Sequence, residues 1–429
     1  MSKLTIVKKQ IQSLKDKGAF HIIAGNFATK AVTFFGSVFL ARLLTKTDLG
    51  VLSYMENLCS YAYLLIGFGM SNAILRYNIK NDDRSIQKGI AAYSLRRGLL
   101  CDLCLVICVM LINVVYPHQG DFISAKALIP VLILALPFQD IIHMVLMNER
   151  SFFANRRYAF FSLGSAFIIV AGRMLGAWKG ELQGVVLAIV AVNVVTSFGM
   201  GSSSYLKYYK GIKAVRITDE LKKETASYSA QYMITNGLWG FFMLIDLFLL
   251  GHLLNDAVAM ADYKIAYAFP ANMAIFSSAV GIFVASYFIK NENDTNWVRT
   301  NYKRLLKAGI VMQGVVGLAL FVLAKPLIWL YGTQYYNVIP LMRLLIIGCF
   351  IETAFRSPTA NILASMGKVK YNMAVSAGGL VLQIILDILL IPKLGGYGIA
   401  YASIIVRSLM AIALFIVFNR MYQIITIKE

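Results

Sequence analysis

Long apolar stretches separated by short polar connections follow one another along the whole chain. Each stretch is about as long as a helix that crosses a bilayer, which needs about 20 mostly apolar residues. The pattern predicts an all-α integral membrane protein. Its twelve predicted spans lie near residues 20–43, 50–75, 98–116, 127–147, 158–178, 182–205, 226–251, 260–289, 308–330, 337–363, 371–392 and 397–419.

The basic residues of the connections lie almost entirely on one side of this arrangement. If residue 1 is on the cytoplasmic side, the cytoplasmic segments hold 29 of the 41 Lys and Arg residues. Basic residues favour the cytoplasmic side of a membrane, and the number of spans is even, so both termini are predicted to be cytoplasmic. The opposite connections hold five basic residues, which are Arg42, Lys46, Lys126, Lys179 and Lys393.

The composition excludes several classes of protein. The chain is 59% apolar and 14% charged, with a mean hydropathy of +0.67, whereas soluble domains are about 45–50% apolar and about 25% charged. A soluble enzyme, a disordered chain and a secreted disulfide scaffold are therefore excluded. The net charge of +20 lies mainly on the predicted cytoplasmic face, so no nucleic-acid partner is expected. Cys101, Cys104 and Cys108 share a helical face without a histidine nearby, which favours packing over a metal site.

The two halves of the chain resemble each other at a nearly constant spacing. Ile129-Pro130 at the start of predicted span four recurs as Ile339-Pro340 at the start of span ten, and later matches keep almost the same offset. With six spans each, the halves have the same orientation, as in transporters whose halves are related by an axis along the membrane normal. The sequence predicts an N-terminal lobe over residues 1–205, a cytoplasmic linker over 206–225 and a C-terminal lobe over 226–429.

Several short stretches in both halves resemble the polysaccharide repeat-unit flippases (Wzx type) of the multidrug/oligosaccharidyl-lipid/polysaccharide (MOP) exporter superfamily. Their order and spacing follow the family over nearly the whole chain, with a departure at residues 252–262, where the family has a clearer Gly-Ile-Tyr start to span eight. The stretches are ARLLTKTDLG at 41–50, GFGMSNAILR at 67–76, IDLFLLG at 245–251, YGTQY at 331–335 and IPKLGGYG at 391–398.

This resemblance implies two parallel six-helix lobes around a central cavity, as in MATE and other MOP transporters. It implies movement of an undecaprenyl-diphosphate-linked oligosaccharide of an O-antigen, capsule or exopolysaccharide across a bacterial cytoplasmic membrane by alternating access. The chain would then be no enzyme and would need no cofactor beyond a coupling ion, H⁺ or Na⁺. Membrane lipids, a polysaccharide polymerase and the chain-length machinery would be its partners. The sequence contains no GxxxxGK[ST] nucleotide-binding loop.

Thirteen charged residues lie within the predicted spans. Each costs about 2.5–3.5 kcal/mol at mid-membrane on insertion scales, so such residues face a partner or a watery cavity. The bases are Lys30, Arg173, Lys264, Lys325, Arg343, Arg356 and Arg407, and the acids are Glu56, Asp102, Asp140, Asp246, Glu352 and Asp387. Arg and Lys at mid-depth suit a lipid diphosphate. Candidates for the substrate cavity are therefore Lys30, Arg173, Asp246, Lys264, Arg343 and Arg407.

Each candidate also has a simpler interpretation. Lys264 and Lys325 lie near span ends, where a lysine can extend to the interface, and Glu352 and Arg356 are spaced for a structural ion pair. Arg173 and Asp387 occupy similar depths and can each pair within one lobe. Lys30 and Arg407 are the deepest bases, and the resemblance places spans one, two, seven and eight around the central cleft. The candidates for ion coupling or structure are Glu56, Glu352, Arg356 and Asp387.

Two other functions compete with the flippase. A MATE-type cation-coupled multidrug antiporter would favour a net acidic cavity. The seven bases and six acids within the spans are nearly balanced, so they do not exclude this function. A membrane-embedded glycosyltransferase or ligase would need a large outer loop, whereas every predicted outer connection is short. Pro137, Pro270 and Pro358 lie inside spans four, eight and ten, where the missing N–H predicts kinks, as fixed bends or as hinges.

Overall fold

The computed structural model describes residues 19–275, 277, 284 and 287–422. Packing divides the chain into two units, Met1–Leu244 and Ile245–Glu429. The division falls inside one long helix, and the predicted lobes, their linker at 206–225 and the arrangement of six spans in each lobe stay predictions. The charged segments at residues 1–18 and 423–429, on which the prediction of cytoplasmic termini partly depends, lie outside the described residues.

The described residues are helical in both units, and no strand occurs among them. The first unit contains α1 (Ala19–Leu43), α2 (Lys46–Tyr63), α3 (Met70–Lys80), α4 (Arg84–Val115), α5 (Ala125–Ile133), α6 (Leu136–Ser151), α7 (Asn155–Tyr208) and most of α8 (Asp219–Leu254). The second contains α9 (Ala257–Tyr267), α10 (Thr295–Val322), α11 (Ala324–Trp329), α12 (Ile339–Ile351), α13 (Ser357–Ser365), α14 (Val369–Leu394) and α15 (Gly396–Tyr422).

Seven helices of the described residues are long and apolar enough to cross a membrane, or eight if α5 and α6 with their preceding turn form one bent span. One of the seven is α7, whose 54 residues break at Gly180 and Glu181, between predicted spans five and six. The chain is therefore a multi-pass helical membrane protein, as predicted. The count of twelve crossings stays a prediction.

The two units interrupt their helices at matching places. Thr45 caps α2 by accepting a hydrogen bond from the Asp48 backbone N–H (3.0 Å). Asp256, at the equivalent place in the second unit, caps α9 by accepting one from the Ala259 N–H (3.0 Å). Such caps satisfy N–H groups that the first helical turn leaves without a partner. The short 3₁₀ turns at Gly120–Ser124 and Thr333–Val338 also correspond, so the repeat seen in the sequence recurs in the local structure.

Two of the three prolines predicted to kink their spans mark a break. Pro137 lies in the first turn of α6, where the chain bends by 42° from the preceding helix. Pro270 opens a 3₁₀ turn after α9. Pro358 lies in the first turn of α13, directly after a π-helical turn at Glu352–Arg356, but the helical span continues through it. A single π-helical turn can be accommodated inside a helix without ending it.

Buried polar groups hold one end of the first unit together. Glu149 is fully buried and receives two hydrogen bonds from the Arg157 guanidinium (3.0 and 3.2 Å) and one from the Tyr208 hydroxyl (2.8 Å). Asn148 beside it accepts a hydrogen bond from the Tyr209 hydroxyl (2.7 Å) and another from the Asn78 amide (3.1 Å). The ends of α3, α6 and α7 are therefore tied by charge-assisted and neutral hydrogen bonds.

The two halves of α7 pack against each other at glycines. A Cβ atom on Gly184 would strike the backbone carbonyl of Gly176, and one on Gly176 would strike the backbone of Gly184. Only glycine permits two helical backbones to approach this closely.

We expect Gly184→Ala to destabilise the protein by about 1–3 kcal/mol, because the methyl group must separate the two halves of α7. The midpoint of thermal unfolding in detergent measures the effect. Gly199→Ala is the matched control, since a Cβ there meets no atom within 4 Å in the same helix. Equal midpoints for the two variants would contradict the close packing.

Candidate functional site

A cavity of about 380 Å³ lies inside the first unit. Its walls come from predicted spans two, four, five and six, so residues far apart in sequence meet around it. The lining residues are Glu56, Cys59, Ser60, Tyr63, Ile66, Leu132, Gln139, His143, Arg173 and Ile189. Charged, amide, imidazole and hydroxyl groups share this surface with apolar side chains, which is typical of ligand sites.

Helix α2 presents its polar face to the cavity. Glu56, Ser60 and Tyr63 follow one another at spacings of four and three, which places them on one side of a helix. Cys59 lines the cavity beside them, whereas Asn57 is directed elsewhere, since its amide donates to the Leu244 backbone carbonyl (3.1 Å). In the sequence this spacing indicates only an ordinary amphipathic helix. In the structure, the same residues form one wall of the cavity.

Two of the residues that line the cavity, Arg173 and Glu56, form an ion pair. Nη2 of Arg173 lies 2.9 Å from Oε1 of Glu56, and the two side chains are 30% and 24% exposed. Arg173 thus pairs within its own unit. Its Nε is buried and has no hydrogen-bond partner among the described residues. A guanidinium held at one edge by a carboxylate, with a further N–H unused, is suited to bind an anionic oxygen.

Helix α6 adds neutral polar groups to the same cavity. Gln139 and His143 lie one helical turn apart and line it together. Neither residue was among the sequence candidates, because an isolated Gln or His in an apolar stretch gives no signal by itself. The spacing of four, next to the kink at Pro137, is the only indication that the sequence contains.

The second unit contains a buried acidic group around α14. Asp387 is fully buried, and the Gln383 amide lies 3.1 Å from each of its carboxyl oxygens. The Gln383 amide also lies 3.5 Å from the Ser403 hydroxyl of α15. The carboxyl of Asp246 is within hydrogen-bonding contact of that of Asp387. Two predicted candidates are therefore neighbours, although they lie on α8 and α14, far apart along the chain.

Arg407 belongs to the same region of the second unit. Its Nη1 lies 3.5 Å from the Cys349 sulfur. It contacts the Tyr267 hydroxyl and lies within electrostatic range of Asp246 and Glu352. The sequence showed no partner for Arg407 within four positions, and the tertiary structure supplies several from other helices.

The remaining candidates are Glu352, Arg356, Arg343, Lys264 and Lys30. Glu352 and Arg356 form an ion pair (2.7 Å), and Arg356 also donates to the Ser376 hydroxyl (2.9 Å). Arg343 donates to the Phe321 carbonyl (3.3 Å) and lies over that ring. Lys264 is partly buried in α9, and Lys30 is exposed on α1.

The described residues contain no group of three or more His, Cys, Asp or Glu side chains arranged to hold a metal ion. Each polar site found above instead combines a carboxyl pair or an ion pair with amides and hydroxyls. Such groups bind anions, protons or monovalent cations.

Comparison with solved structures defines the class of fold. The lipid II flippase MurJ in an inward closed conformation is similar with a TM-score of 0.71 and 16% identity, over 93% of this chain and 87% of that chain. An inward-facing multidrug resistance transporter of the MATE family gives 0.66 and 16%, over 92% and 94%. A MOP superfamily transporter from Pyrococcus furiosus gives 0.62 and 15%, over 95% and 94%. The fold is that of the MOP superfamily transporters.

Residues 16–288 match the profile of the polysaccharide biosynthesis protein family. The matched segment is well over half of the chain. The chain belongs to this family. The family that the sequence motifs indicated is thereby confirmed. No curated protein matches the chain.

Proposed function

We propose that the protein is a flippase that carries undecaprenyl-diphosphate-linked oligosaccharide repeat units to the outer leaflet of a bacterial cytoplasmic membrane. The observation that carries this proposal is membership of the polysaccharide biosynthesis protein family in a chain with the fold of MOP superfamily transporters. MurJ, which has a similar fold, is a lipid II flippase. The proposed activity is transport by alternating access, with both termini in the cytoplasm. A polymerase and the chain-length machinery are proposed partners.

The chemistry of the cavity in the first unit supports an anionic, sugar-bearing ligand. Arg173 offers a buried N–H to a diphosphate oxygen, while Gln139 and Ser60 suit the hydroxyls of a sugar. A volume of about 380 Å³ is near the lower end of ligand sites, which span about 300–1,000 Å³. We infer that this cavity takes the diphosphate and the first sugar rather than a whole repeat unit.

A direct assay tests the proposal. Proteoliposomes containing the protein and a fluorescent undecaprenyl-diphosphate oligosaccharide are treated with an impermeant quencher, and the protected fraction is followed in time. We expect protein-dependent exchange between leaflets. An exchange rate equal to that of protein-free vesicles, with the protein correctly inserted, would contradict the flippase.

A MATE-type cation-coupled multidrug antiporter is the second candidate. The likeness to a MATE transporter and a cavity of drug-like size favour it. The same proteoliposomes separate the two functions: ethidium accumulation under an imposed Na⁺ or H⁺ gradient, with no exchange of the lipid, would replace the flippase by the antiporter.

Asp387→Asn is expected to abolish the acceleration of transport by an imposed Na⁺ or H⁺ gradient. The buried carboxyl pair with Asp246 offers a place for a coupling cation, and an amide at position 387 neither ionises nor balances a cation. The initial rate with and without each gradient measures the effect. Asp82→Asn, in an exposed connection, is the matched control. Gradient-driven acceleration that survives in Asp387→Asn would exclude this pair from coupling.

A further inference from the structure

Span two is broken by three consecutive residues with left-handed backbone conformations. Gly67, Phe68 and Gly69 have φ values of 56°, 51° and 70°. Glycine adopts such angles readily, whereas phenylalanine at φ 51° is strained. Strained residues persist where the surroundings hold them in place, and they cluster at functional sites.

Two carboxyl groups lie next to this break in span two. Asp102 of α4 accepts a hydrogen bond from the Gly67 N–H (2.7 Å). Asp140 of α6 lies so close to Gly67 that a Cβ atom there would overlap the carboxyl group. A Cβ on Gly98 would lie 2.7 Å from Oδ2 of Asp140. Glycine at both positions therefore leaves room for the Asp140 carboxyl, and at position 98 also for the Met144 side chain.

The two carboxyls are fully buried and contact each other. Neither oxygen of Asp140, nor Oδ2 of Asp102, receives a hydrogen bond from any donor among the described residues. A buried carboxylate without donors or a cation is strongly unfavourable, and two adjacent carboxylates repel each other. A proton or a cation between the two carboxyls would relieve both costs.

The groups around the pair do not supply that charge. Cys101 of α4 and Tyr63 of α2 lie within electrostatic range, and both are ordinarily uncharged near neutral pH. His143 of α6, three positions after Asp140, lines the cavity, and among the described residues it forms no hydrogen bond or ion pair with either carboxyl. Helix α8 contributes the backbone of Ser229, beside Gly69. Among the described residues, no Lys, Arg or His donates a hydrogen bond to the unsatisfied oxygens of either carboxyl.

The second unit has neutral residues where the repeat offset matches the two carboxyls. Gln313, 211 positions after Asp102, donates to the Met273 carbonyl (3.3 Å). Thr353, 213 positions after Asp140, donates to the Cys349 carbonyl (2.7 Å), and its own carbonyl accepts from a serine hydroxyl (2.9 Å). The carboxyl pair is therefore a feature of the first unit and not of the repeat.

We propose that Asp102 and Asp140 form a binding site for one proton, whose release alters the break in span two and with it the cavity. The proton forms an O–H bond on one carboxyl, and that hydroxyl donates to the other carboxylate. Loss of the proton to water leaves two adjacent negative charges, which repel. Only the Asp102 carboxylate is held by Gly67, so Asp140 and the break separate. Ile66 and Gln139, which precede Gly67 and Asp140, line the cavity and carry the change to it.

Infrared difference spectroscopy of the full chain in lipid, recorded as pH is raised, tests the site without any substrate. We expect the loss of a buried carboxylic acid band in the wild-type protein and its absence in both Asp102→Asn and Asp140→Asn. Asp82→Asn, in an exposed connection, retains the band. An amide still accepts the Gly67 N–H, so the variants are expected to fold. A band that persists unchanged in both variants would overturn the proposal.

Two further measurements complete the test. In a variant lacking the native cysteines, labelling of Leu65→Cys, beside the break, is expected to change in rate with pH and to lose that dependence when Asp140→Asn is added. A rate that stays pH-dependent with Asp140→Asn would overturn the link to the break. Binding of radioactive sodium that is lost in Asp140→Asn would replace the proton by a metal ion. Because no measurement uses the lipid-linked oligosaccharide, failure here is distinct from failure of the flippase assay.

Discussion

Arg173→Leu is expected to abolish export of lipid-linked repeat units. The substitution removes the buried guanidinium N–H from the cavity and leaves Glu56 without its partner at 2.9 Å. The pair is partly exposed, so we expect the loss of stability to be about 1–3 kcal/mol, between the values for surface and buried pairs. That loss alone reduces the amount of protein but not the activity of each folded molecule. The test uses cells that are depleted of the native protein and complemented with the variant. In these cells, the amount of surface polysaccharide is measured relative to the amount of membrane-inserted protein.

The double variant Glu56→Leu/Arg173→Leu separates a structural from a substrate-binding role. Replacing both members of an ion pair by apolar residues of similar size is often neutral for stability. If Arg173 binds substrate, the double variant is inserted normally and remains inactive. Arg173→Lys keeps the charge but loses the planar fork of donors, so partial activity is expected. Full export by the double variant would remove Arg173 from the substrate site.

Lys30→Ala is likewise expected to abolish export while the protein still reaches the membrane. Lys30 is exposed on the surface of α1, and its ammonium group has no hydrogen-bond or ion-pair partner among the described residues. An unpaired lysine deep within a predicted span is costly in lipid, unless it faces water or an anion. We propose that the anion is the lipid diphosphate.

The matched controls for Lys30 are Lys30→Arg and Lys179→Ala. Arginine retains the positive charge at position 30, so substantial export is expected, whereas Lys179 lies exposed at the turn between the halves of α7, where its removal is expected to have little effect. Export at the wild-type level by correctly inserted Lys30→Ala would exclude this lysine from substrate transport.

Much of the local structure follows from the sequence. The polar residues Thr45 and Asp48 end one apolar stretch and begin the next, and the structure places a helix cap at that position. Pro137 and Pro270 mark breaks because a ring without an N–H cannot continue a helix normally. A corresponding cap occurs in the second unit, as the sequence repeat predicts. Periodicity, caps and prolines act over short stretches of chain, which is why the sequence alone reveals them.

Partners across helices could not be obtained in this way. Glu56 and Arg173 lie on α2 and α7, and Asp246 and Asp387 lie on α8 and α14. The expectation that Arg173 and Asp387 pair locally came from their similar depth, but depth does not identify a partner, because several acids and bases lie at comparable depths on different helices. Which of them meet depends on the rotation and packing of each helix.

The amino-acid sequence is sufficient to predict a multi-pass helical membrane protein with repeating halves, and to identify its family as one of polysaccharide biosynthesis. Those properties depend on the hydrophobicity of whole segments and on short motifs. The packing of the helices is needed to show that Arg173 lines a cavity with Glu56 and that Asp102 and Asp140 meet next to a strained break. Each charge costs about the same in lipid wherever it lies along the chain, so its partner depends on packing.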